Sequence, residues 1–272
     1  MIITERVRKS YDAYAQNYDA GTGLQRNLAD KLIKAVQSGG VKFSKALDIG
    51  CGTGYVTQAL CRGGPLWPPD IIRAGTGACP YIYFVGCDIS FGMLSCAKNK
   101  IQSAHYVQAD AQCLPFDAAS FDLVVSNAAY QWVFDLKSAF REVSRVLKPC
   151  GKFYFVVFNN NTLRELQSIC KEINVASSNF PDKAKLVSSL NEAGFKIIAI
   201  ETFNHKKYYK DLWELLDVLK NIGSTPAENK KISGLGWRKI LRQANDLYAA
   251  QFGSDKGLPA AYEAFLIKAE NA

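Results

Sequence analysis

From Lys45 onward the chain repeats one rhythm: a short apolar or β-branched run, a turn, a helical pattern, then another short run. The runs "ALDI", "YIYFVGCD", "AHYVQAD", "FDLVVSN" and "KFYFVVF" are separated by segments such as "FGMLSCAKNKI" and "LKSAFREVSRVL". Strands that alternate with helices at this spacing predict a parallel sheet covered on both faces, a doubly wound α/β fold. With 272 residues, 48% of them hydrophobic, the chain can bury such a sheet in one large domain. Before Lys45, "SYDAYAQNYD" and "LQRNLADKLIKAVQ" carry apolar residues three and four apart and read as helices, until "SGG" at Ser38 to Gly40 stops the run. Residues 63–80 hold four prolines and four glycines and read as an irregular loop. The text from Asn204 to Leu258 is helical again, and "AAYEAFLIKAE" returns to strand-like composition. The expected organisation is an N-terminal helical lid over 1–44, a core over 45–203 plus 259–272, and a helical cap over 204–258 inserted before the last strand.

Several function classes are disfavoured by composition. The longest apolar stretch, Phe153 to Phe158, is far too short to cross a bilayer, and "MIITERVRKSYD" lacks the apolar segment of a secretory signal, so a cytoplasmic location is expected. The eight cysteines form no C-x-x-C pair and read as free thiols. With His105 and His205 the sole histidines, neither near a cysteine pair, no metal site is expected. The net charge of +8 favours an anionic partner, or simply a solvated basic surface.

The first strand runs directly into "DIGCGTGY". Gly50, Gly52 and Gly54 allow a tight turn and the close approach of a ligand at the carboxyl edge of the sheet. Their spacing, G-x-G-x-G, differs from the dinucleotide fingerprint G-x-G-x-x-G, and a turn that merely needs positive φ is an alternative. Two acids end the next two strands: Asp88 in "FVGCDIS", placed to hold ribose hydroxyls, and Asp110 in "VQADAQCLPF", placed to accept from an exocyclic amine. Either acid alone could instead cap a helix.

"LDIGCGTG", "GCDIS", "ADAQCLPF" and "FDLVVSNAAYQW" resemble, in order, the motifs of class I S-adenosylmethionine-dependent methyltransferases. The resemblance implies a seven-stranded, Rossmann-like sheet with S-adenosylmethionine across its carboxyl edge and S-adenosylhomocysteine as product. It implies that Asp48, Gly50, Cys51, Gly52 and Gly54 line the methionine portion, that Asp88 holds the ribose and Asp110 the adenine, and that Ile89, Ala111, Met93 and Asn127 complete the site. Enzymes that methylate base or glutamine amino groups resemble N-P-P-Y where this chain has "NAAY", Asn127 to Tyr130, so a nucleic-acid substrate is disfavoured.

Outside the core, "YDAYAQNYDAGTGLQRNLADKL", "SNAAYQWV", "LKNIGST" and "PAAYEAFLIKA" resemble segments of the BioC family of malonyl-acyl-carrier-protein O-methyltransferases of biotin synthesis. That resemblance implies a malonyl thioester on acyl-carrier protein as substrate and partner. A malonyl carboxylate is ionised at neutral pH and needs no general base, only positioning and exclusion of water. Tyr18, Arg26, Gln131 and Trp132 are the candidate positioning groups. The chain departs from the family at residues 63–80, which are longer than expected, and at Glu263, where a neutral or basic residue is expected. Residues 204–258 carry ten Lys or Arg and six Asp or Glu, so 10 − 6 leaves +4 on the expected cap. Lys206, Lys207, Lys230, Lys231, Arg238, Lys239 and Arg242 are the candidates for a docking patch facing the acidic carrier protein. Methylation of another small molecule, such as a quinone precursor, or cofactor binding without turnover are the alternatives.

Overall fold

The computed structural model describes residues 2–61, 82–175, 180–221 and 235–272. The expected loop over 63–80, together with Lys230 and Lys231, lies outside these residues. Seven strands form one sheet in the order β3-β2-β1-β4-β5-β7-β6, with β1 Lys45–Ile49, β2 Tyr83–Asp88, β3 His105–Gln108, β4 Phe121–Asn127, β5 Leu147–Phe158, β6 Phe195–Tyr209 and β7 Leu258–Asn271. Three helices precede the sheet: α1 Ile2–Tyr14, α2 Tyr18–Gly21 and α3 Gly23–Ser38. Between strands lie α4 Tyr55–Cys61, α5 Phe91–Lys100, α6 Leu136–Val146, α7 Arg164–Glu172, α8 Lys183–Glu192, α9 Leu212–Asn221 and α10 Leu235–Phe252.

Alternation along the strands builds two cores, one on each face. On one side Ala46, Phe84, Leu123, Val125, Val156 and Leu266 pack with Leu28 and Leu32 of α3, Leu166 and Ile169 of α7, and Leu215 of α9. On the other, Leu47, Val85, Val124, Phe153, Phe155 and Ile267 meet Phe140 and Val143 of α6 and Leu186 and Leu190 of α8. Every one of these side chains is buried, which explains why the strands read as continuous apolar runs.

The structure differs from the sequence reading at the far end of the sheet. Strands β1 to β5 are parallel, but β7 runs antiparallel between β5 and β6, so the sheet is mixed. The helical reading from Asn204 is also corrected: β6 continues to Tyr209, and His205, Lys206 and Lys207 pair with Tyr262, Ala261 and Ala260. Alternation decides this segment. Phe203, His205, Lys207 and Tyr209 share one face of β6 and Lys206 takes the other; both lysines are exposed, while Tyr209 is buried. The helices that follow begin at Leu212.

Candidate functional site

Strand order turns back between β1 and β4, and an α/β sheet leaves a crevice at such a point beyond its carboxyl edge. The chain enters this crevice from β1. The N–H groups of Gly50 and Cys51 donate to Cys87 O at 2.7 and 3.0 Å, folding the loop onto the end of β2. Gly50, Gly52 and Gly54 take φ of 68°, 55° and 87°, where side chains are penalised. Their surroundings separate them. A Cβ at Gly50 would lie 2.3 Å from Ala129 Cβ and one at Gly54 2.6 Å from Ile101 Cδ1, while at Gly52 the nearest atom is Tyr18 Cε1 at 3.9 Å. Gly50 and Gly54 thus permit close packing, and Gly52 has room for a Cβ in ordinary contact with Tyr18.

Two chambers meet at Gly52. The larger is lined by Tyr11, Tyr18, Gly50, Gly52, Asp88, Ile89, Met93, Asp110, Ala111, Asn127 and Trp132. The smaller is lined by Tyr18, Arg26, Asp48, Gly50, Cys51, Gly52 and Asn127. Gly54 and Gln131 line neither. Gly54 serves packing against α5 and Ile101, and Gln131 Nε2 donates to Ala128 O at 2.6 Å, holding a residue with φ of 53° at the turn after β4. Arg26 stands in the smaller chamber, with its guanidinium 3.6 Å from Asp19 and over the Tyr55 ring at 5.6 Å.

The acids are held by local backbone. Asp88 accepts from Gly52 N–H and Ser90 N–H, both at 2.9 Å. Burial nevertheless pushes its carboxyl up to about 6, against the pull of those two amides. Asp48 is buried deeper. Its Oδ2 accepts from Thr57 Oγ1 at 2.7 Å, its Oδ1 has no partner among the described residues, and burial pushes it up to about 7. Asp110 accepts from the backbone and side-chain amides of Gln112, at 2.9 and 3.1 Å. Asn127 donates to Gln25 O at 3.0 Å, and its Oδ1, like Trp132 Nε1, is buried without a partner among the described residues. Buried polar atoms left unpaired in a cavity wall are costly unless a ligand satisfies them.

Sequence reading missed how α1 and α2 are fastened over the site. Asp12 Oδ1 accepts from Ser90 Oγ at 2.7 Å and Gly92 N–H at 2.9 Å, so an acid of α1 joins the N-terminal cap of α5. Gly92 permits the approach: a Cβ there would lie 3.2 Å from Asp12 Cα. Asp19 of α2 accepts from Thr53 Oγ1 at 2.6 Å and pairs with Lys100. The signal available in the sequence is the repeat of Tyr-Asp at Tyr11-Asp12 and Tyr18-Asp19, which places a ring on the cavity and an acid on its rim twice in succession.

Residues 47–155 match the family model described as a methyltransferase domain. A malonyl-[acyl-carrier protein] O-methyltransferase of Methylovorus sp. (strain MP688) is 33% identical, over 97% of this chain and 87% of that protein. Another of that description, from Halorhodospira halophila, is 31% identical over 94% and 84%. A candidate methyltransferase of known structure from Bacillus halodurans C-125 has the same fold, with a TM-score of 0.62 at 19% identity over 89% of this chain and 99% of that one.

Proposed function

Since the chain belongs to the BioC-like malonyl-[acyl-carrier protein] O-methyltransferases, enzymes that use S-adenosylmethionine, we propose that it transfers the methyl group to the free carboxylate of a malonyl thioester carried on acyl-carrier protein. The residues present fit the methyl donor. Gly52 lines both chambers without a side chain, and the orphan oxygens of Asp48 and Asn127 offer acceptors to an ammonium group. In this reading Asp48, Asn127 and the glycine loop hold the methionine portion, Asp88 the ribose and Asp110 the adenine, flanked by Ile89, Ala111 and Met93. The bound donor supplies an electrophilic methyl on a sulfonium centre.

One observation carries the choice of acceptor. The smaller chamber combines the Arg26 guanidinium, flanked by the Asp19 carboxylate at 3.6 Å, with a phenol that keeps its proton: burial, then the Asp88 and Asp19 carboxylates, hold Tyr18 well above the tyrosine range. The Cys51 thiol is held up too, first by burial. Among the described residues no histidine or lysine lines either chamber. Such a site suits an acceptor that arrives already ionised, because a cation and neutral donors position a carboxylate without taking a proton from it. Arg26 and Tyr18 orient the anion, Trp132 offers its unspent indole N–H, and the fastened helices exclude water.

The test is transfer of labelled methyl from S-adenosylmethionine to malonyl-acyl-carrier protein, read by mass spectrometry as the methyl ester. Label appearing solely on another acceptor would overturn the proposal, and so would cofactor binding with no transfer at all. Arg26→Ala should slow transfer while cofactor affinity stays within about twofold, since its partner is the acceptor.

A further inference from the structure

On the opposite side of α3 from the smaller chamber lies a groove that the cofactor reading does not use. Gln25, Arg26 and Ala29 face the chamber, while Leu24, Asn27, Leu28 and Lys31 face the groove. Its volume is ≈ 210 Å³. The floor is aromatic: Phe158 at the end of β5, Phe203 of β6 and Tyr262 of β7. The rim is cationic and polar. Lys31 Nζ stands 4.5 Å above the Phe203 ring, Lys207 lies just past the lining, two residues beyond His205 on the same face of β6 with its Nζ 5.0 Å from the Tyr209 ring, and neither lysine meets a carboxylate among the described residues. Asn27 and Asn204 line the groove with side-chain amides that make no hydrogen bond among the described residues.

We propose that this groove receives the phosphodiester-bearing prosthetic arm of the acyl-carrier protein, with Lys31 and Lys207 at its phosphate end. The inference rests on the malonyl reading above and extends it to the part of the substrate that never reacts. An arm of this kind joins an anionic phosphodiester to alkyl and amide segments, and the groove offers cations, an aromatic floor and free amides in one trough. The position fits as well. Phe158 ends a strand two places from β1, and β6 lies four places from it, so at ~4.8 Å per strand the cationic end stands about 19 Å from the glycine loop. The docking face therefore moves from the helices of the expected cap to the rim shared by α3 and β6, and of the earlier candidates Lys207 stays within it.

Three acceptors separate arm from carrier and from chemistry: malonyl-acyl-carrier protein, malonyl-coenzyme A, and malonyl-N-acetylcysteamine, which lacks the phosphodiester. For Lys31→Glu combined with Lys207→Glu, kcat/KM should fall about tenfold more for the first two than for the third, and the excess should shrink with added salt. Asn27→Trp, at the exposed rim of the groove, should give the same ordering, while Lys98→Glu on α5 should leave the ratios unchanged. Thermal midpoints and cofactor affinity confirm that each variant is folded. A loss confined to the carrier-protein substrate would place the lysines against the protein surface and overturn the groove. Equal losses for all three acceptors would overturn it too, as would none. If the unmodified enzyme methylates no malonyl thioester, the reading beneath this inference falls with it, an outcome visible before any variant is made.

Discussion

The half of the sheet from β3 to β4 and the half from β5 to β6 build their polar features by different means. In the first half the strand-end acids are held by residues that follow closely in sequence or stand in the adjoining loop: Asp88 by Ser90 and Gly52, Asp110 by Gln112, Asp48 by Thr57. In the second half they are brought together by long-range pairing. Tyr209 and Tyr262 share a buried hydroxyl pair at 2.8 Å, and Glu263 Oε1 accepts from both Asn159 and Asn161 at 2.8 Å. The first half is thus shaped by its loops, and the second depends on β7 threading in register between β5 and β6. Changes in the first half should register in cofactor affinity, and changes in the second in stability and acceptor KM.

The strongest way to break this division is Gly50→Ala. Its Cβ would collide with Ala129 at a backbone angle that disfavours it, so a loss of about 3 kcal/mol in stability is expected by denaturant titration. Gly52→Ala meets only an ordinary contact with Tyr18, should cost about 1 kcal/mol in stability, and should weaken S-adenosylmethionine more than it weakens the fold. Equal effects at the two glycines would erase the distinction between a packing and a ligand-facing position.

Asp88→Ala should weaken the cofactor by about 1 to 3 kcal/mol in calorimetry while leaving acceptor KM alone. Unchanged affinity in a folded variant would remove Asp88 from the ribose site. A related test uses pH. Asp88 and Asp48 are raised to about 6 and 7, so in the free protein each is largely protonated below its value. On the proposed assignment a cationic cofactor and its ribose hydroxyls bind the ionised forms, so affinity should rise as pH passes from about 5.5 to 7.5 and level off above. In the free protein the sign is reversed. Stability should fall over the range from the ordinary carboxylate value up to about 7, as these buried acids are made to ionise. Asp48→Asn should flatten the upper part of both profiles.

The smallest expected effects sit in the second half and on the rim. Tyr262→Phe breaks the hydroxyl pair with Tyr209 and should cost about 1 kcal/mol in stability with little change in cofactor affinity. Asp12→Asn keeps an acceptor for Ser90 and Gly92 but loses the charge at the start of α5. It should speed cofactor release about twofold to fivefold in stopped-flow. No change in release would separate the fastening of α1 from cofactor retention.

This division also explains what could be read in advance. The glycine loop and the strand-end acids were legible because each depends on a residue type at one position beside one strand end. The seventh strand's direction and the length of β6 were not, since "NHKKYY" has no apolar face of its own and becomes a strand through its ladder with "LPAAYE". Nor could spacing distinguish Gly52 from its neighbours, because what differs among the three glycines is Ala129, Ile101 and Tyr18, which arrive from distant parts of the chain.

The outer margin of β6 has one further consequence. It is the last strand of the sheet, it runs for 15 residues, and its only ladder is with β7 among the described residues. An unpaired margin of that length is a template for strand addition by another chain, and closely spaced lysines are a common obstacle to it. Lys206 and Lys207, both exposed, sit between the bulge at Ile197/Ala199 and the turn into α9, close to the end of β6. Replacing both with valine should therefore produce concentration-dependent self-association in sedimentation velocity, whereas replacing both with glutamate should leave the chain dispersed. The same two side chains would then limit polymerisation in a crowded cell, whatever substrate the enzyme is holding.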